Sequence, residues 1–333
     1  MQRRSFLKAG LGCVGLGGAA FRHVQAHDDE PRAPGEPDRV PIQKRICLFT
    51  DHLDDFDYGF DEVAKMLREL GVAGPDLTVR PGGLVAPERV ADDLPKAVAA
   101  FREQGLSVPM ISTGLTSAED PAARPTLTTM ARLGIGYYKL GYYAYEDPGG
   151  WQARLAVVRR EVDGLAQLGR PLGVRAGFHN HAGPFVGGAL WDSWNVLQPM
   201  DSRAVGFYFD PAQATIEGGK HAWKLNFQRI APRLVMVAIK DFVWEEVDGR
   251  WQTRWCPLGE GMVDWTAFFG LLAAVPFDGP VSLHIEYDPG GANRAARFEN
   301  SLAAADRDLK FLRQHLDAAL APAQSAPNGD RHR

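Results

Sequence analysis

The sequence predicts an α/β fold, a single-domain (β/α)8 barrel. Short apolar segments rich in β-branched and aromatic residues alternate with amphipathic helical segments eight times between residues 42 and 318. That count and that length are typical of one such barrel. The polar residues of the pattern fall at the carboxyl ends of the predicted strands, where these barrels carry their functional sites. A doubly wound open sheet is the alternative, but no Gly-x-Gly-x-x-Gly motif follows the first strand.

The first four strand-helix units are identified by the change from continuous apolar runs to helical spacing. In the first helix, Phe60, Val63 and Leu67 fall on one face, and Gly71 suits the C-terminal cap. A Pro-Gly-Gly run stops the second strand. The predicted strands are residues 45–50, 77–80, 108–115 and 137–145, and the predicted helices are residues 60–70, 86–104, 122–133 and 151–168.

The last four units follow the same alternation and include one insertion. The predicted strands are residues 174–179, 205–210, 234–241 and 281–287, and the predicted helices are residues 190–197, 223–230, 265–274 and 300–316. Pro232 ends the sixth helix, because proline cannot continue it. The insertion at 242–261 carries Trp244, Trp251 and Trp255, which either pack structurally or form a platform for sugar rings.

The two ends of the chain differ from the barrel segment. Residues 1–26 contain Arg3-Arg4-Ser5-Phe6-Leu7-Lys8, a Gly/Ala-rich apolar run and a small-residue cleavage point, and resemble a twin-arginine signal peptide. The apolar run is too short to predict a stable membrane span. We therefore expect recognition by the twin-arginine export machinery and a periplasmic or secreted mature protein. Residues 27–41 are predicted to be a disordered spacer and residues 319–333 a disordered tail.

Composition excludes some classes of function. The net charge is -4 at pH 7, which gives no support for a nucleic-acid partner. The three cysteines, Cys13, Cys47 and Cys256, form no CxxC or zinc-finger spacing. A bridge between Cys47 and Cys256 is an alternative that requires export to an oxidising compartment.

The candidate site consists of polar residues that follow or end the predicted strands. His179 and His181 are two residues apart, a spacing that places side chains on the same side of a strand. Buried carboxylates and ammonium groups need partners or a metal, so their convergence predicts an acid–base site. His284, Lys139 and Arg175 are expected to be structural residues of the barrel interior or helix partners. The candidate residues are His52, Tyr143, Tyr145, His179, His181, Asp210, Lys240, Asp241 and Glu286.

Five segments carry a family resemblance: GFHNHAGPF, FYFDPAQA, AIKDF, PLGEGMVDW and LHIEYDP. Together with the strand-helix order, they resemble the sugar phosphate isomerase/epimerase superfamily, also called the xylose isomerase-like barrels. The resemblance extends over residues 46–316. It implies a (β/α)8 barrel and the chemistry of small carbohydrates, although the superfamily also includes dehydratases, lyases and endonucleases.

The resemblance also implies a divalent metal, held by Glu, Asp, His and Glu from strands five to eight. By position, Glu286 matches the last Glu, Asp210 matches the Asp, and His179 stands where the first Glu usually is. Ala238 replaces the strand-seven His, and Gln213 replaces a common His after Asp-Pro.

Two alternatives follow from these departures. In one, His179, His181, Asp210 and Glu286 still bind Mn, Zn, Co, Fe or Mg, because mixed nitrogen and oxygen ligands suit several of these ions. In the other, Lys240 supplies the positive charge that a metal would supply, and stabilises an enolate or alkoxide.

The sequence therefore predicts a sugar or keto-sugar isomerase or epimerase that removes the proton α to a carbonyl. Exported location favours a free or oxidised sugar over a phosphorylated one. The alternatives are a β-eliminating lyase or dehydratase on 3-keto-sugars or glycosides, and a non-catalytic sugar-binding barrel. A homo-oligomer is compatible with the sequence. The predicted catalytic residues are Glu286 as the base, Lys240, and His179 or His181 as the acid; the predicted substrate-binding residues are Tyr143, Trp255, His52 and Asp241.

Overall fold

Eight parallel strands close into a barrel in the computed structural model, which describes residues 40–54, 58–146 and 148–321. The predicted signal peptide and nearly all of the predicted spacer lie outside these residues. The barrel strands are β1 (Ile46–Phe49), β2 (Gly74–Val79), β3 (Met110–Thr113), β4 (Tyr137–Lys139), β5 (Arg175–His179), β6 (Val205–Phe209), β7 (Leu234–Ile239) and, after the hairpin strands β8 (Asp241–Val247) and β9 (Arg250–Cys256), β10 (Val281–Leu283). The order around the barrel is β1-β10-β7-β6-β5-β4-β3-β2. This topology confirms the predicted (β/α)8 barrel.

Helices alternate with the strands along the chain. They are α1 (Asp51–Asp54), α2 (Phe60–Glu69), α3 (Val90–Glu103), α4 (Ala123–Leu133), α5 (Trp151–Gly169), α6 (Trp191–Leu197), α7 (Pro211–Ile230), α8 (Trp265–Ala273) and α9 (Arg294–Leu320). In the described residues, no helix is long and apolar enough to cross a membrane.

The barrel has two apolar clusters. The smaller cluster lies among the strands and includes Cys47, Met110 and Tyr208, while the larger one packs the helices against the strands. Cys47 and Cys256 are both buried and unpaired, so the structure contains no bridge between them.

Several element boundaries differ from the predicted ones, and the start of one helix has a clear local cause. Helix α7 begins at Pro211 because the Asp210 side chain accepts a hydrogen bond from the Gln213 backbone N–H, which caps the helix. Gly219 has a non-helical backbone (φ 56°) and interrupts α7 before residues 223–230, the part that the sequence predicts as helix. Helix α9 reaches Leu320 and so includes the first two residues of the predicted tail.

Candidate active site

A cavity of about 1200 Å³ opens at the carboxyl ends of the barrel strands. Its volume is slightly above the roughly 300–1,000 Å³ that is typical of small-molecule sites. Its wall combines residues that follow β1–β4 and β10 with one tryptophan from the β8–β9 hairpin. The residues used below are Asp51, His52, Arg80, Lys139, Tyr142, Trp255 and Glu286.

The ammonium group of Lys240 is the centre of the site. Its Nζ lies 2.9 Å from Glu286 Oε1, 3.0 Å from Glu286 Oε2 and 3.3 Å from Asp210 Oδ2. The ring of Trp255 covers the ammonium at 4.4 Å from the ring centroid. Lys240 is only 3% exposed, and Asp210 is fully buried. The geometry is that of one cation shared by two carboxylates and shielded by an indole.

The charges in this cluster stabilise one another. Burial alone would lower the pKa of Lys240, but the charges of Glu286 and Asp210 raise it above its ordinary value. Burial alone would raise the pKa of Glu286, but the charge of Lys240 and the His284 hydrogen bond hold it well below its usual range. The pKa of Asp210 is lowered in the same way, with burial opposed by Lys240 and His179. The cluster is therefore fully ionised near neutral pH.

His179 is a neutral partner of this cluster. Its Nε2 lies 3.3 Å from Asp210 Oδ2, and its Nδ1 lies 3.2 Å from the Tyr142 hydroxyl. Burial lowers the pKa of His179 to about 3 despite the nearby Asp210 carboxylate. A neutral imidazole in this position bridges Asp210 and Tyr142.

Asn180, which lies between the two histidines and has no predicted role, bonds to the backbone of Asp210. Its side-chain Oδ1 accepts a hydrogen bond from the Asp210 backbone N–H at 2.8 Å. Its Nδ2 donates to the Asp210 backbone carbonyl at 2.9 Å. The amide thus continues the pairing of β5 and β6 by one further step and fixes the position of Asp210 beside His179.

His181 lies beside the cluster and is not among the residues that line the cavity. Its Nδ1 bonds to the carbonyl of its neighbour Ala182 at 2.8 Å, and its ring packs edge-on against Tyr142 at 4.7 Å. Strand β5 ends at His179, so the i, i+2 rule that predicted a shared direction for the two imidazoles does not extend to His181. Its ring centroid is 6.2 Å from that of His179.

A series of hydrogen bonds in the barrel interior joins Glu286 to Asp76. His284 Nδ1 lies 3.1 Å from Glu286 Oε1, and His284 Nε2 lies 3.0 Å from the Tyr208 hydroxyl. That hydroxyl is 3.2 Å from Asp76 Oδ2. Burial is the main cause of the raised pKa of the Asp76 carboxyl. The chain fixes the Glu286 carboxylate from within the barrel while its other side faces the cavity.

Two predicted substrate-binding residues must be corrected. Tyr143 is 1% exposed, stacks on Phe178 and donates a hydrogen bond to the Thr116 carbonyl, so it belongs to the core. The sequence predicts strand as far as residue 145, but β4 ends at Lys139. Tyr142, rather than Tyr143, lines the cavity. Tyr145 also follows the strand end, and its hydroxyl donates to Asp192 at 2.9 Å.

Asp241 is the second correction. Its two carboxylate oxygens accept hydrogen bonds from four backbone N–H groups and one indole N–H, those of Phe242, Gly259, Gly261, Val263 and Trp265. The side chain is buried and holds the 257–265 loop, the PLGEGMVDW segment, against the start of the hairpin. Its acceptor capacity is used within the protein, so Asp241 is a structural residue rather than a substrate ligand.

His52 and Trp255 do line the cavity, as the sequence predicts for substrate-binding residues. Burial lowers the pKa of His52 to about 4, so the imidazole is neutral near pH 7. Three further cavity residues, Arg80, Lys139 and Tyr142, were not predicted as site residues. Lys139 is the last residue of β4, and this position at a strand end is the sequence feature that could have identified it as a site residue.

The residues at the implied metal positions do not fit a divalent ion in this arrangement. The Lys240 ammonium bonds to both Asp210 and Glu286, and Ala238 offers no donor where the resemblance implies a histidine. Across the described residues, no group of three His, Cys, Asp or Glu side chains is arranged to hold a metal ion. The side chain that contacts both carboxylates is a cation and cannot itself ligate a metal while protonated.

Comparisons with known proteins agree with the fold. The family model described as xylose isomerase-like TIM barrel matches residues 65–315. No curated protein sequence matches the chain. Among solved structures, 3-keto-D-glucoside 4-epimerase from E. coli is 17% identical, with a TM-score of 0.61 over 81% of this chain and 99% of that chain.

Two other solved structures give similar values. D-allulose 3-epimerase from Methylomonas sp. is 15% identical, with a TM-score of 0.60 over 84% of this chain and 100% of that chain. A xylose isomerase-like TIM barrel protein from Mycobacterium smegmatis, in complex with magnesium, is 18% identical, with a TM-score of 0.57 over 80% and 91% of the two chains. At these identities the structures show a shared fold, while the family model covers most of the sequence. The chain belongs to the xylose isomerase-like TIM barrel family.

Proposed function

We propose that the protein is an isomerase or epimerase of a free sugar or keto-sugar, and that it acts in the periplasm or outside the cell. The twin-arginine-like N-terminus supports the location, and an exported enzyme meets few phosphorylated intermediates. Similarity to sugar epimerases, including one that acts on a 3-keto-D-glucoside, supports the reaction class. A 3-keto-glycoside or a ketose is therefore the first substrate class to test.

One observation carries the proposal: the Lys240 ammonium lies between Asp210 and Glu286, and Glu286 lines a cavity that can hold a sugar. A carbonyl oxygen placed near this ammonium becomes more negative when the α-proton leaves. A fixed positive charge in a buried site stabilises that change without reorganisation. Trp255 and Tyr142 supply aromatic surface for the apolar faces of a sugar ring.

The proposed chemistry keeps the charge beside Lys240 constant. Glu286 takes the α-proton, so its negative charge disappears while an equal charge forms on the substrate oxygen. The hydrogen bonds that Lys240 gives to Glu286 then become available to the enolate oxygen. Return of the proton to the former carbonyl carbon, with transfer of the adjacent hydroxyl proton to the enolate oxygen, gives isomerisation. Return of the proton to the opposite face of the same carbon gives epimerisation.

Replacement of Glu286 by Gln tests the proposed base. We expect exchange of the substrate α-proton with D2O to fall at least a hundredfold, roughly what general-base catalysis contributes. Proton NMR on ketoses and 3-keto-glycosides measures the exchange. Glu246→Gln is the matched control, because Glu246 is an exposed hairpin residue. Full exchange in Glu286→Gln would reject Glu286 as the base.

The same experiment separates the other candidate functions. A β-eliminating lyase also begins by removing the α-proton, but its product is an unsaturated sugar with loss of a substituent. A non-catalytic barrel would bind a sugar without exchange or product. Saturable sugar binding with no exchange by the wild-type protein would therefore contradict the proposed enzyme.

A further inference from the structure

Lys139 lies across the cavity from Glu286. Lys139 is the last residue of β4, and Glu286 follows β10 by three residues. Three strands separate β4 from β10 in either direction around the closed barrel, so the two strands are opposite each other. Both side chains line the same cavity. A substrate in this cavity has one of these groups on each side.

The amine of Lys139 differs from that of Lys240 in its contacts. Its Nζ donates to the Leu140 carbonyl at 3.0 Å and lies 3.9 Å from the centroid of the Tyr142 ring. Among the residues that the structure describes, no ion pair within 4.0 Å joins it to a carboxylate. It is 6% exposed. Lys139 is thus a buried amine in the cavity wall without a carboxylate partner in the described part of the chain.

The electrostatic surroundings bring Lys139 close to a change of charge. Burial lowers its pKa to about 7. The acidic groups that oppose this effect are Asp76 and Glu286, and the basic groups that add to it are Arg80 and Lys240. Tyr142 faces it and stays neutral, because burial raises the pKa of its hydroxyl. The Asp210 carboxylate is paired with Lys240, and the His179 imidazole is neutral. Lys139 is therefore the cavity amine suited to exchange a proton near pH 7.

We propose that Lys139 is the second proton-transfer residue of the site, acting on the substrate face opposite Glu286. The inference rests on the proposed epimerase function. In one direction, Glu286 takes the α-proton and the electron pair passes to the carbonyl oxygen as an enolate. The Lys139 ammonium then gives a proton to the other face of the same carbon, the C=O bond re-forms, and Lys139 becomes a neutral amine. Solvent returns the proton from Glu286 to Lys139, and no other reactant is needed.

Lys139→Met separates proton removal from inversion. We expect the variant to keep Glu286-dependent α-proton exchange in D2O, because Glu286 can still remove and return a proton on its own face. Formation of the opposite epimer should fall at least a hundredfold, roughly the contribution of one acid–base group. NMR measures both quantities in one sample. Lys65→Met, an exposed substitution on α2, is the matched control and should behave as the wild type does.

The pH profile gives a second readout. The active form needs ionised Glu286 and protonated Lys139, so kcat/KM should fall about tenfold per pH unit above roughly pH 7, where the amine loses its proton. Lys139→Arg keeps its charge, so this limb should move to higher pH. Titration of ¹³C-dimethylated lysines by NMR, assigned with Lys139→Arg, should show one resonance with a pKa near 7, absent from that variant.

The outcomes are distinguishable from failure of the proposed function. A wild-type protein that exchanges no α-proton on ketoses or 3-keto-glycosides would overturn both the proposed function and this inference. If the protein is active and its Lys139→Met variant keeps the wild-type ratio of epimer formation to α-proton exchange, that result would overturn only the role of Lys139. A Lys139 resonance with an ordinary lysine pKa would overturn it as well.

Discussion

Lys240→Met is expected to lower kcat/KM about a thousandfold, the upper range for loss of one group that stabilises a developing oxyanion. Methionine is similar in length but has no charge, so Asp210 and Glu286 would face each other without their shared cation. Loss of one partner from a buried charge cluster also destabilises a fold, by roughly 3–5 kcal/mol. Steady-state kinetics and urea unfolding measure the two effects separately. Lys220→Met, on an exposed part of α7, is the matched control.

The same variant tests the relation between Lys240 and a metal. The wild-type protein should retain its activity after chelation, because a side chain already provides the cation between the carboxylates. Lys240→Met leaves His179, Asp210 and Glu286 without that ammonium, so binding of Mn²⁺ or Zn²⁺ should appear in the variant. Isothermal titration calorimetry measures this gain. Loss of wild-type activity on chelation, with recovery on adding one of these ions, would overturn the role assigned to Lys240.

Asp241→Ala is expected to destabilise the protein by roughly 3–5 kcal/mol, a large effect for one substitution. Five donors would lose their acceptor, among them the backbone N–H groups of Gly259 and Gly261. The Gly261 backbone lies very close to Asp241, since a Cβ at this position would collide with the Asp241 carboxylate. Urea unfolding followed by circular dichroism measures the free energy of unfolding.

The control for Asp241 is Asp264→Ala. Asp264 accepts one backbone hydrogen bond, from Ala267, and pairs with Lys224 at the surface. Loss of such a helix cap costs about 1 kcal/mol. Equal losses of stability in the two variants would show that Asp241 is not the centre of the 257–265 loop. Asp241→Asn should resemble Asp241→Ala, because an amide N–H₂ would face a backbone or indole donor.

The sequence predicts the barrel well because its evidence is redundant. Eight apolar runs, eight helical runs and polar strand ends all indicate the same topology, so an error of a few residues at any boundary leaves it unchanged. The cluster of Asp210, Lys240 and Glu286 follows for the same reason. Each residue ends or follows a strand, and parallel strands bring their carboxyl ends together.

The incorrect assignments arise where a strand ends earlier than its composition suggests. The aromatic run after Lys139 predicts strand as far as Tyr145, yet β4 stops at Lys139 and the next tyrosine, Tyr142, enters the cavity. Asp241 follows Lys240 directly, and only the fold of the 257–265 loop, distant in sequence, decides that its carboxylate is used internally. The local sequence shows neither where β4 ends nor how the 257–265 loop folds.

The hydrogen bonds that join Glu286 to Asp76 determine how many protons these four side chains hold together. Three hydrogen bonds join Glu286, His284, Tyr208 and Asp76, and three bonds require three hydrogens. Tyr208 supplies one and a neutral imidazole supplies one, so a third must reside on His284 or on Asp76. The first arrangement places hydrogens on both ring nitrogens of His284, and the second places one on the Asp76 carboxyl. When all three bonds are made, the barrel interior holds one additional proton within three hydrogen bonds of the Glu286 carboxylate, and that proton can change position without any change in net charge.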